Sequence, residues 1–150
     1  MSKKEQILEA AVAQFYEHGL AVPAAKIAKA AGVSNGTLFN YFETKQQLVD
    51  AVYFTLGETV AEALKGAGDY SCVKQGIRTV WLGYTEWAYA NPKGFEVTGL
   101  IWSTNALSPE MREATDNLFE FIRSSVEKGI ASGELVNTSS DYLCELGCSQ

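Results

Sequence analysis

Apolar residues recur along most of this chain at the three- and four-residue spacing of amphipathic α-helices. Over residues 3–18 they occupy one helical face, and Gly19 follows where a helix would stop. The members of this face are Ile7, Leu8, Ala11, Val12 and Phe15. No stretch alternates apolar and polar residues for long enough to favour a strand, and the chain contains only three prolines. The pattern therefore predicts an all-α protein.

Two short apolar-patterned segments follow, in the stretch KIAKAAGVSNGTLFNYFETKQQL at residues 26–48. Pro23 suits the first turn of a second helix, Gly32 can stop that helix, and Ser34 is a natural N-cap for a third. Helices this short are marginal alone, so their stability has to come from packing against the first helix. The residues expected to make that contact are Phe15, Ile27, Leu38 and Phe42. The spacing predicts a helix-turn-helix.

Two longer helices are predicted next. A capping box at TKQQ, residues 44–47, opens a long helix that ends at Gly66. After the loop GAGD, another helix is predicted from about residue 71 to residue 90, before the breaker NPKG. Its expected inner face consists of Val73, Ile77, Trp81, Tyr84 and Ala88.

The last part of the chain predicts a short helix over residues 92–103 and one continuous helix that begins at SPE, residues 108–110, and is closed by Gly133. The apolar positions of this continuous helix are Met111, Thr115, Leu118, Ile122, Val126 and Ile130. Residues 134–150 have weak periodicity and are expected to be partly helical.

The third helix has an outer face whose chemistry suits the edges of base pairs. It carries Asn35, Thr37, Asn40 and Tyr41. Asparagine can bond an adenine through two hydrogen bonds, and threonine can donate, accept or touch a thymine methyl group. Gly36 allows close approach of the backbone. The alternative interpretation is a solvated polar face on an ordinary helical hairpin.

Contacts to phosphate are predicted beside this face. Tyr41 and Lys45 can reach a DNA backbone, and the helix that begins at Thr44 and Lys45 has backbone donors at its first turn. We therefore predict that one end of the protein binds double-stranded DNA.

The charge of the whole chain does not by itself favour nucleic acid. The formal net charge is −6, but residues 1–50 carry five lysines and five acidic residues and sum to zero. All the excess negative charge lies in residues 51–150, where seven basic and thirteen acidic groups give 7 − 13 = −6. The asymmetry permits DNA contact without proving it.

The stretch KIAKAAGVSNGTLFNYFETKQQLVDAV resembles the DNA-binding head of TetR-family (TetR/AcrR-like) transcriptional regulators, whose recurring frame is IA…AGVS.G.L…F..K..L. The positions that match in register are Ile27, Ala28, Ala31, Gly32, Val33, Ser34, Gly36, Leu38, Phe42, Lys45 and Leu48. The similarity covers roughly residues 5–55. It implies a homodimeric DNA-binding protein, usually a repressor, that binds a palindromic operator and is released by a small molecule.

The resemblance also implies a division of labour along the chain. Residues 1–46 would form the helix-turn-helix DNA-binding domain and residues 47–150 a helical ligand-sensing and dimerisation domain. The DNA-binding residues would be Ser34, Asn35, Gly36, Thr37, Phe39, Asn40, Tyr41, Thr44 and Lys45.

Three departures from the family pattern change the expectations. Val22 replaces a usual threonine or serine, and Phe39 replaces a common phosphate-binding tyrosine, which Tyr41 can partly replace. Both changes predict weaker or more sequence-selective DNA contact. Family members also usually continue for about two helices beyond the position of Gly133, and those helices normally form the dimer interface. Only residues 134–150 follow here, so the dimerisation part is expected to be shortened.

Aromatic residues are frequent after the head and are expected to line a pocket for a small apolar or aromatic effector. The predicted ligand-binding residues are Trp81, Tyr84, Trp87, Phe95, Trp102 and Phe119, with Glu86 or Glu96 as charge partners. The alternative is that these aromatics are plain core. The long helix over residues 44–65 would be the lever that links such a pocket to the DNA-binding head.

Other classes of function have little support. The chain has one histidine, His18, and no catalytic triad, metal-ligand spacing or phosphate loop, so we predict no enzyme, no metal and no cofactor. The three cysteines have no disulfide-framework spacing. No apolar run is long enough to cross a membrane and no signal peptide is visible, so a cytoplasmic protein is expected. The rival is a shortened helical interaction protein that pairs with another subunit and binds DNA weakly or not at all.

Overall fold

The computed structural model describes residues 1–66 and 72–135, and over these ranges the chain forms eight α-helices and no strand. The helices are α1 (Lys3–His18), α2 (Ala24–Ala30), α3 (Asn35–Tyr41), α4 (Lys45–Gly66), α5 (Val73–Ala90), α6 (Pro92–Ser103), α7 (Pro109–Leu118) and α8 (Glu120–Ser132). The all-α prediction is confirmed. None of the helices in these ranges is long and apolar enough to span a membrane.

Local capping signals explain where several helices begin and end. At α1, the Ser2 hydroxyl accepts from the Glu5 backbone at 3.2 Å, and the Glu5 carboxylate accepts from the Ser2 backbone at 2.8 Å. Ser108 caps α7 in the predicted way, since its hydroxyl accepts from the backbone of Met111 at 3.3 Å. Gly133, with a left-handed φ of 79°, ends α8 as predicted.

The predicted capping box at the start of α4 is half correct. The Thr44 hydroxyl accepts from the Gln47 backbone at 3.1 Å, as expected. The Gln47 side-chain oxygen, however, accepts from the backbone of Glu43 at 2.8 Å instead of from Thr44. The reciprocal bond is displaced by one residue because a glutamine side chain can reach either of two adjacent backbone donors.

The prediction of one continuous helix from residue 108 to Gly133 is wrong. The chain leaves helical geometry at Phe119, with φ −104° and ψ 13°, and this break separates α7 from α8. Thr115 and Leu118 of α7 lie against Gly57 of α4, whereas α8 packs on α5. The two segments pack against different helices, α7 on α4 and α8 on α5, and one straight helix could not make both contacts.

The main hydrophobic core joins the head to the rest of the molecule. Its buried members come from α1 to α4, from α6 and from the loop after α6. They are Ile7, Leu8, Ala11, Phe15, Val22, Ile27, Ala28, Leu38, Phe42, Leu48, Val49, Val52, Val97, Ile101 and Leu107. A second cluster, between α4 and α5, consists of Val60, Leu64 and Trp87. The head therefore packs directly on α4 and α6.

The predicted inner face of α5 is largely wrong. Ile77 is 51% exposed, Trp81 is 58% exposed, and Tyr84 also lies at the surface. The buried positions are instead Val73, Gly76, Thr79, Gly83 and Trp87. Small residues at three of these five positions allow neighbouring helices to approach closely, and the larger side chains consequently point outwards.

Candidate nucleic-acid interface

The turn between α2 and α3 has the geometry that the sequence predicts. Gly32 adopts a left-handed φ of 66°, and its backbone N–H donates to the carbonyl of Lys29 at 3.2 Å. The N–H of Val33 donates to the carbonyl of Ala28 at 3.0 Å. These two bonds form a Schellman motif, which ends α2 and turns the chain sharply into α3.

Buried side chains hold α3 against the helices before it. Leu38 and Ile27 are both fully buried, and Phe42, just after α3, is 4% exposed. All three belong to the core that contains Phe15 of α1. Because its inner side is anchored in this way, α3 is a short rigid rod whose opposite side faces solvent.

The outer side of α3 is uncovered by the described parts of the chain. Asn35, Gly36 and Asn40 are exposed, and Tyr41 is 46% exposed. A Cβ placed on Gly36 would have only the Ser34 hydroxyl within 4 Å, at 3.8 Å, so the backbone here is open to a close approach. These residues form one accessible polar rim.

Ser34 and Thr37 are bound to each other at the start of α3. The Ser34 hydroxyl accepts from the Thr37 backbone at 3.0 Å, which confirms the predicted N-cap, and lies 2.8 Å from the Thr37 hydroxyl. Thr37 is only partly exposed. Thr37 can therefore offer a base its methyl group and any hydrogen bond that its hydroxyl does not make with Ser34.

The predicted phosphate contacts lie at the edge of this rim. Thr44 is exposed, but its hydroxyl already caps α4, and Lys45 in the first turn of α4 is partly exposed. The Glu43 backbone donor is also occupied, by Gln47. The N-terminus of α4 thus has fewer available donors than its sequence suggests, while the Lys45 charge remains close to α3.

The two substitutions that depart from the family pattern, Val22 and Phe39, each have a visible structural role. Val22 is buried in the main core with 3% of its surface exposed, so it contributes packing in place of a polar contact. The N-cap position of α2 is Pro23, which makes no side-chain capping bond. Phe39 is 37% exposed on α3 and presents an apolar ring beside the polar rim.

A polar cluster around the buried Asp50 lies behind the interface and was not anticipated from the sequence. Asp50 on α4 is 7% exposed, and its carboxylate accepts from the Ser108 backbone at 3.1 Å and from the Gln46 side chain at 2.9 Å. Gln46 also donates to the carbonyl of Ala106 at 2.7 Å. The start of α4 is thereby tied to the loop between α6 and α7. The sequence feature that could have indicated this cluster is Asp50 itself, an acidic residue set among apolar residues in VDAV.

Three of the predicted ligand-binding aromatics come together between α5 and α6. The rings of Tyr84 and Trp87 stack with centroids 6.0 Å apart, and Tyr84 meets Phe95 edge-on at 6.1 Å. Trp87 is buried, and its indole N–H donates to the Thr59 hydroxyl at 2.9 Å.

The other three predicted aromatics lie elsewhere. Trp81 and Trp102 are each more than half exposed, and the Arg112 guanidinium lies 5.0 Å from the centroid of the Trp102 ring. Phe119 packs on the second core cluster. A cleft of about 400 Å³ opens between the α6–α7 loop and α7. It is lined by Asn105, Leu107, Pro109, Arg112, Glu113 and Asp116, and so by none of the six aromatics. Their ligand-binding role stays a prediction.

No group of three histidine, cysteine, aspartate or glutamate side chains that could hold a metal ion occurs within residues 1–66 and 72–135. Cys72 is partly buried at the N-cap position of α5. Cys144 and Cys148 lie outside the described residues.

Comparison with known proteins bears directly on this interface. Residues 7–52, which contain most of α1, all of α2 and α3 and the start of α4, match the family model described as bacterial regulatory proteins, tetR family. A crystal structure of a protein described as a tetR family transcription regulator, from Shewanella sp. PV-4, superposes with a TM-score of 0.89 at 29% identity. That similarity covers 95% of this chain and 77% of the other.

Two curated relatives are also similar. The uncharacterised HTH-type transcriptional regulator YhgD of Bacillus subtilis (strain 168) is 26% identical over 140 residues, which cover 90% of this chain and 73% of YhgD. The HTH-type transcriptional regulator BetI of Yersinia pestis (strain Pestoides F) is 28% identical over 113 residues, which cover 73% of this chain and 57% of BetI. The matched region thus spans little more than half the length of BetI.

Proposed function

We propose that this chain, whose residues 7–52 match the tetR family of bacterial regulatory proteins, is a transcriptional regulator and not an enzyme, and that it represses transcription by binding a palindromic operator as a homodimer. A small apolar or aromatic effector would release it. In this proposal residues 1–46 contact DNA, residues 47–150 sense the effector and mediate dimerisation, and the protein acts in the cytoplasm, where its DNA target lies.

The single observation that carries the proposal is the accessible polar rim of α3. Asn35, Gly36 and Asn40 face solvent on a helix whose inner side is fixed by the buried Leu38 and Phe42. A rigid helix with exposed amides can enter a major groove and bond base edges without first being rearranged. Phosphate contacts from Tyr41 and Lys45 would set its orientation.

A dimer would present two such helices to successive major grooves, roughly 34–36 Å apart on one side of the duplex. An effector that favours a different separation of the two heads would weaken operator binding by its coupling free energy, typically about 1–3 kcal/mol. The contact between Tyr84, Trp87 and Phe95 supports an aromatic effector site beside α4, since Trp87 is bonded to Thr59 of that helix.

The test is a salt-dependent binding assay on the promoter DNA beside the protein's own gene, with Asn40→Ala and Lys45→Ala. Asn40→Ala should lose discrimination between promoter and competitor DNA, because one bidentate base contact is worth about 1–3 kcal/mol. Lys45→Ala should weaken binding to both DNAs and lower the slope of log affinity against log salt by about 1.

Matched controls come from the same chain. Lys65→Ala removes an equal charge from the far end of α4, and Asn117→Ala removes an exposed amide from α7. Both should bind like the unaltered protein. Equal slopes for the Lys45 and Lys65 variants would refute the assigned interface. If the unaltered protein does not prefer the promoter, an interaction protein that pairs with another subunit becomes the better account.

A further inference from the structure

The cleft of about 400 Å³ between the α6–α7 loop and α7 brings apolar and charged side chains together. Leu107 and Pro109 supply its apolar wall, and Arg112, Glu113 and Asp116 supply its charges. Arg112 is partly buried, whereas both carboxylates are exposed. We call this site the loop cleft. A concave site of this size, with a few charged groups beside an apolar wall, suits a small molecule.

Arg112 is held in place at one side of the loop cleft. Its guanidinium donates to the side-chain oxygen of Asn105 at 2.7 Å and lies 5.0 Å from the centroid of the Trp102 ring. Asn105 adopts a left-handed φ of 51°, which asparagine tolerates better than most residues. A guanidinium fixed between an amide and an indole ring loses little further freedom when it pairs with a carboxylate.

The charges of the loop cleft are kept apart. Arg112 and Asp116 stand one turn apart on α7, a spacing at which opposite charges often pair. Within residues 1–66 and 72–135, however, Arg112 forms no ion pair, and neither do Glu113 and Asp116. The guanidinium is bonded to Asn105 instead. A positive group and two negative groups therefore border the same cleft without neutralising one another through direct contact.

The loop that forms the other wall of the cleft is fixed from behind. The Ala106 carbonyl accepts from the Gln46 side chain at 2.7 Å, and the Ser108 N–H donates to Asp50 at 3.1 Å. Leu107, between them, is 7% exposed and belongs to the main core. A ligand would consequently meet a preformed wall and would not have to order the loop on binding.

We propose that the loop cleft binds a small zwitterion of the α-amino-acid type. The ligand carboxylate pairs with the Arg112 guanidinium, and the ligand ammonium group pairs with Glu113 and Asp116. A simple anion would be repelled by the two carboxylates and a simple cation by Arg112, whereas a ligand with both charges satisfies both sets. An apolar ligand side chain covers Leu107 and Pro109. Binding here goes beyond the proposed function, since it requires neither DNA nor the aromatic effector site.

The test is a titration of the full chain with L-leucine, followed through the indole N–H signals of its three tryptophans in a nitrogen–proton NMR spectrum. The Trp102 signal, assigned by its loss in Trp102→Phe, should shift with a Kd of millimolar order, because its ring lies against Arg112. The signal of the buried Trp87, which is bonded to Thr59, should stay in place.

Two half-ligands separate the two charges. Isocaproate has the leucine carbon skeleton without the ammonium group, and isoamylamine lacks the carboxylate. Each should bind about tenfold more weakly than L-leucine, because a charge-assisted bond is lost. In Arg112→Gln, L-leucine should bind no better than isoamylamine. In Glu113→Gln with Asp116→Asn, it should bind no better than isocaproate.

Matched controls remove the same charges from exposed positions outside the cleft. They are Arg78→Gln on α5, and Glu58→Gln with Glu62→Gln on α4. Both should bind L-leucine like the unaltered protein. Circular dichroism melting checks that each variant is folded.

Three results would overturn the proposal. A Trp102 signal that moves with none of glycine, L-leucine and L-phenylalanine means that the cleft takes no amino acid. Equal affinity for L-leucine and its two half-ligands means that only the apolar wall binds. Equal losses in the cleft variants and the controls mean that the charges act from a distance. No DNA is present, so failure here is distinct from failure to bind an operator.

Discussion

Asp50 joins two parts of the molecule that are far apart in the sequence. Its carboxylate accepts from the Ser108 backbone, at the first turn of α7, and from Gln46, one turn earlier on α4. A buried carboxylate is costly without partners, and here the partners come from the α6–α7 loop as well as from its own helix. The start of α4, which follows α3, is thus fixed relative to the second half of the chain.

Removal of this carboxylate should lower the free energy of unfolding. Asp50→Ala leaves the Ser108 N–H without its acceptor in a partly buried site and leaves the Gln46 amide with only its bond to Ala106, and we expect a loss of about 1–3 kcal/mol in the free energy of unfolding. Urea denaturation followed by circular dichroism measures it. Glu58→Ala, an exposed position on the same helix, should change stability by less than about 0.5 kcal/mol. Similar values for the two variants would show that the cluster is not stabilising.

For single residues, the sequence best predicts roles that depend on neighbours close in the chain. Ser34 as an N-cap and Gly32 as a left-handed turn residue depend on neighbours within a few positions, and both predictions are confirmed. The role of Asp50 depends on Ser108, which lies 58 positions away, and no local pattern indicates it. The DNA contacts of Asn40 and Lys45 stay predictions.

Two helical glycines lie in opposite environments, one in a close contact between helices and one at the open surface. Gly129 of α8 is buried where Val73 of α5 and Leu135 crowd it, and a Cβ there would overlap the Val73 side chain. Gly99 of α6 is exposed, and a Cβ there would meet nothing within 4 Å. The same substitution should therefore have opposite effects at the two sites.

We expect Gly99→Ala to stabilise the protein by up to about 1 kcal/mol, because alanine is the better helix former and no neighbour has to move. Gly129→Ala should destabilise it, because overpacking typically costs about 1–3 kcal/mol and outweighs that gain. Thermal melting of the two variants measures the difference. An equal increase in both melting temperatures would mean that α5 and α8 are not closely packed there.

Helix positions were more predictable than helix faces. The bounds of α1, α4 and α6 follow from apolar period and stop signals, and the structure agrees with them. The outward turn of Trp81 and the break at Phe119 result from which neighbour each helix packs against. Such tertiary choices have no local signal, and for this reason the inner face of α5 and the continuous last helix were predicted wrongly.

For the whole molecule, charge acts in opposite directions on its two proposed associations. Each chain carries a formal charge of −6, so two copies repel one another, whereas residues 1–50 sum to zero and would meet DNA phosphates through local lysines. Added salt screens the repulsion between copies but weakens protein–phosphate contacts.

We therefore expect the dimerisation constant to rise between low and moderate salt while promoter affinity falls over the same range. Sedimentation equilibrium measures the first quantity and fluorescence anisotropy of labelled promoter DNA the second. A dimer that dissociates as salt is added would show that ion pairs across the interface dominate over net repulsion, against this expectation.

The core that α6 shares with the head limits how the protein can be re-engineered. Val97 and Ile101 are fully buried in the core that also contains side chains of α1 to α4, so a chimaera cut at residue 46 would remove the α4 and α6 side chains that the head packs against. A chimaera that is to keep operator binding has to include α6, or the recipient protein has to supply two buried aliphatic side chains in the positions of Val97 and Ile101. If the head binds DNA as proposed, moving it into another protein at residue 46 is therefore not expected to preserve that binding.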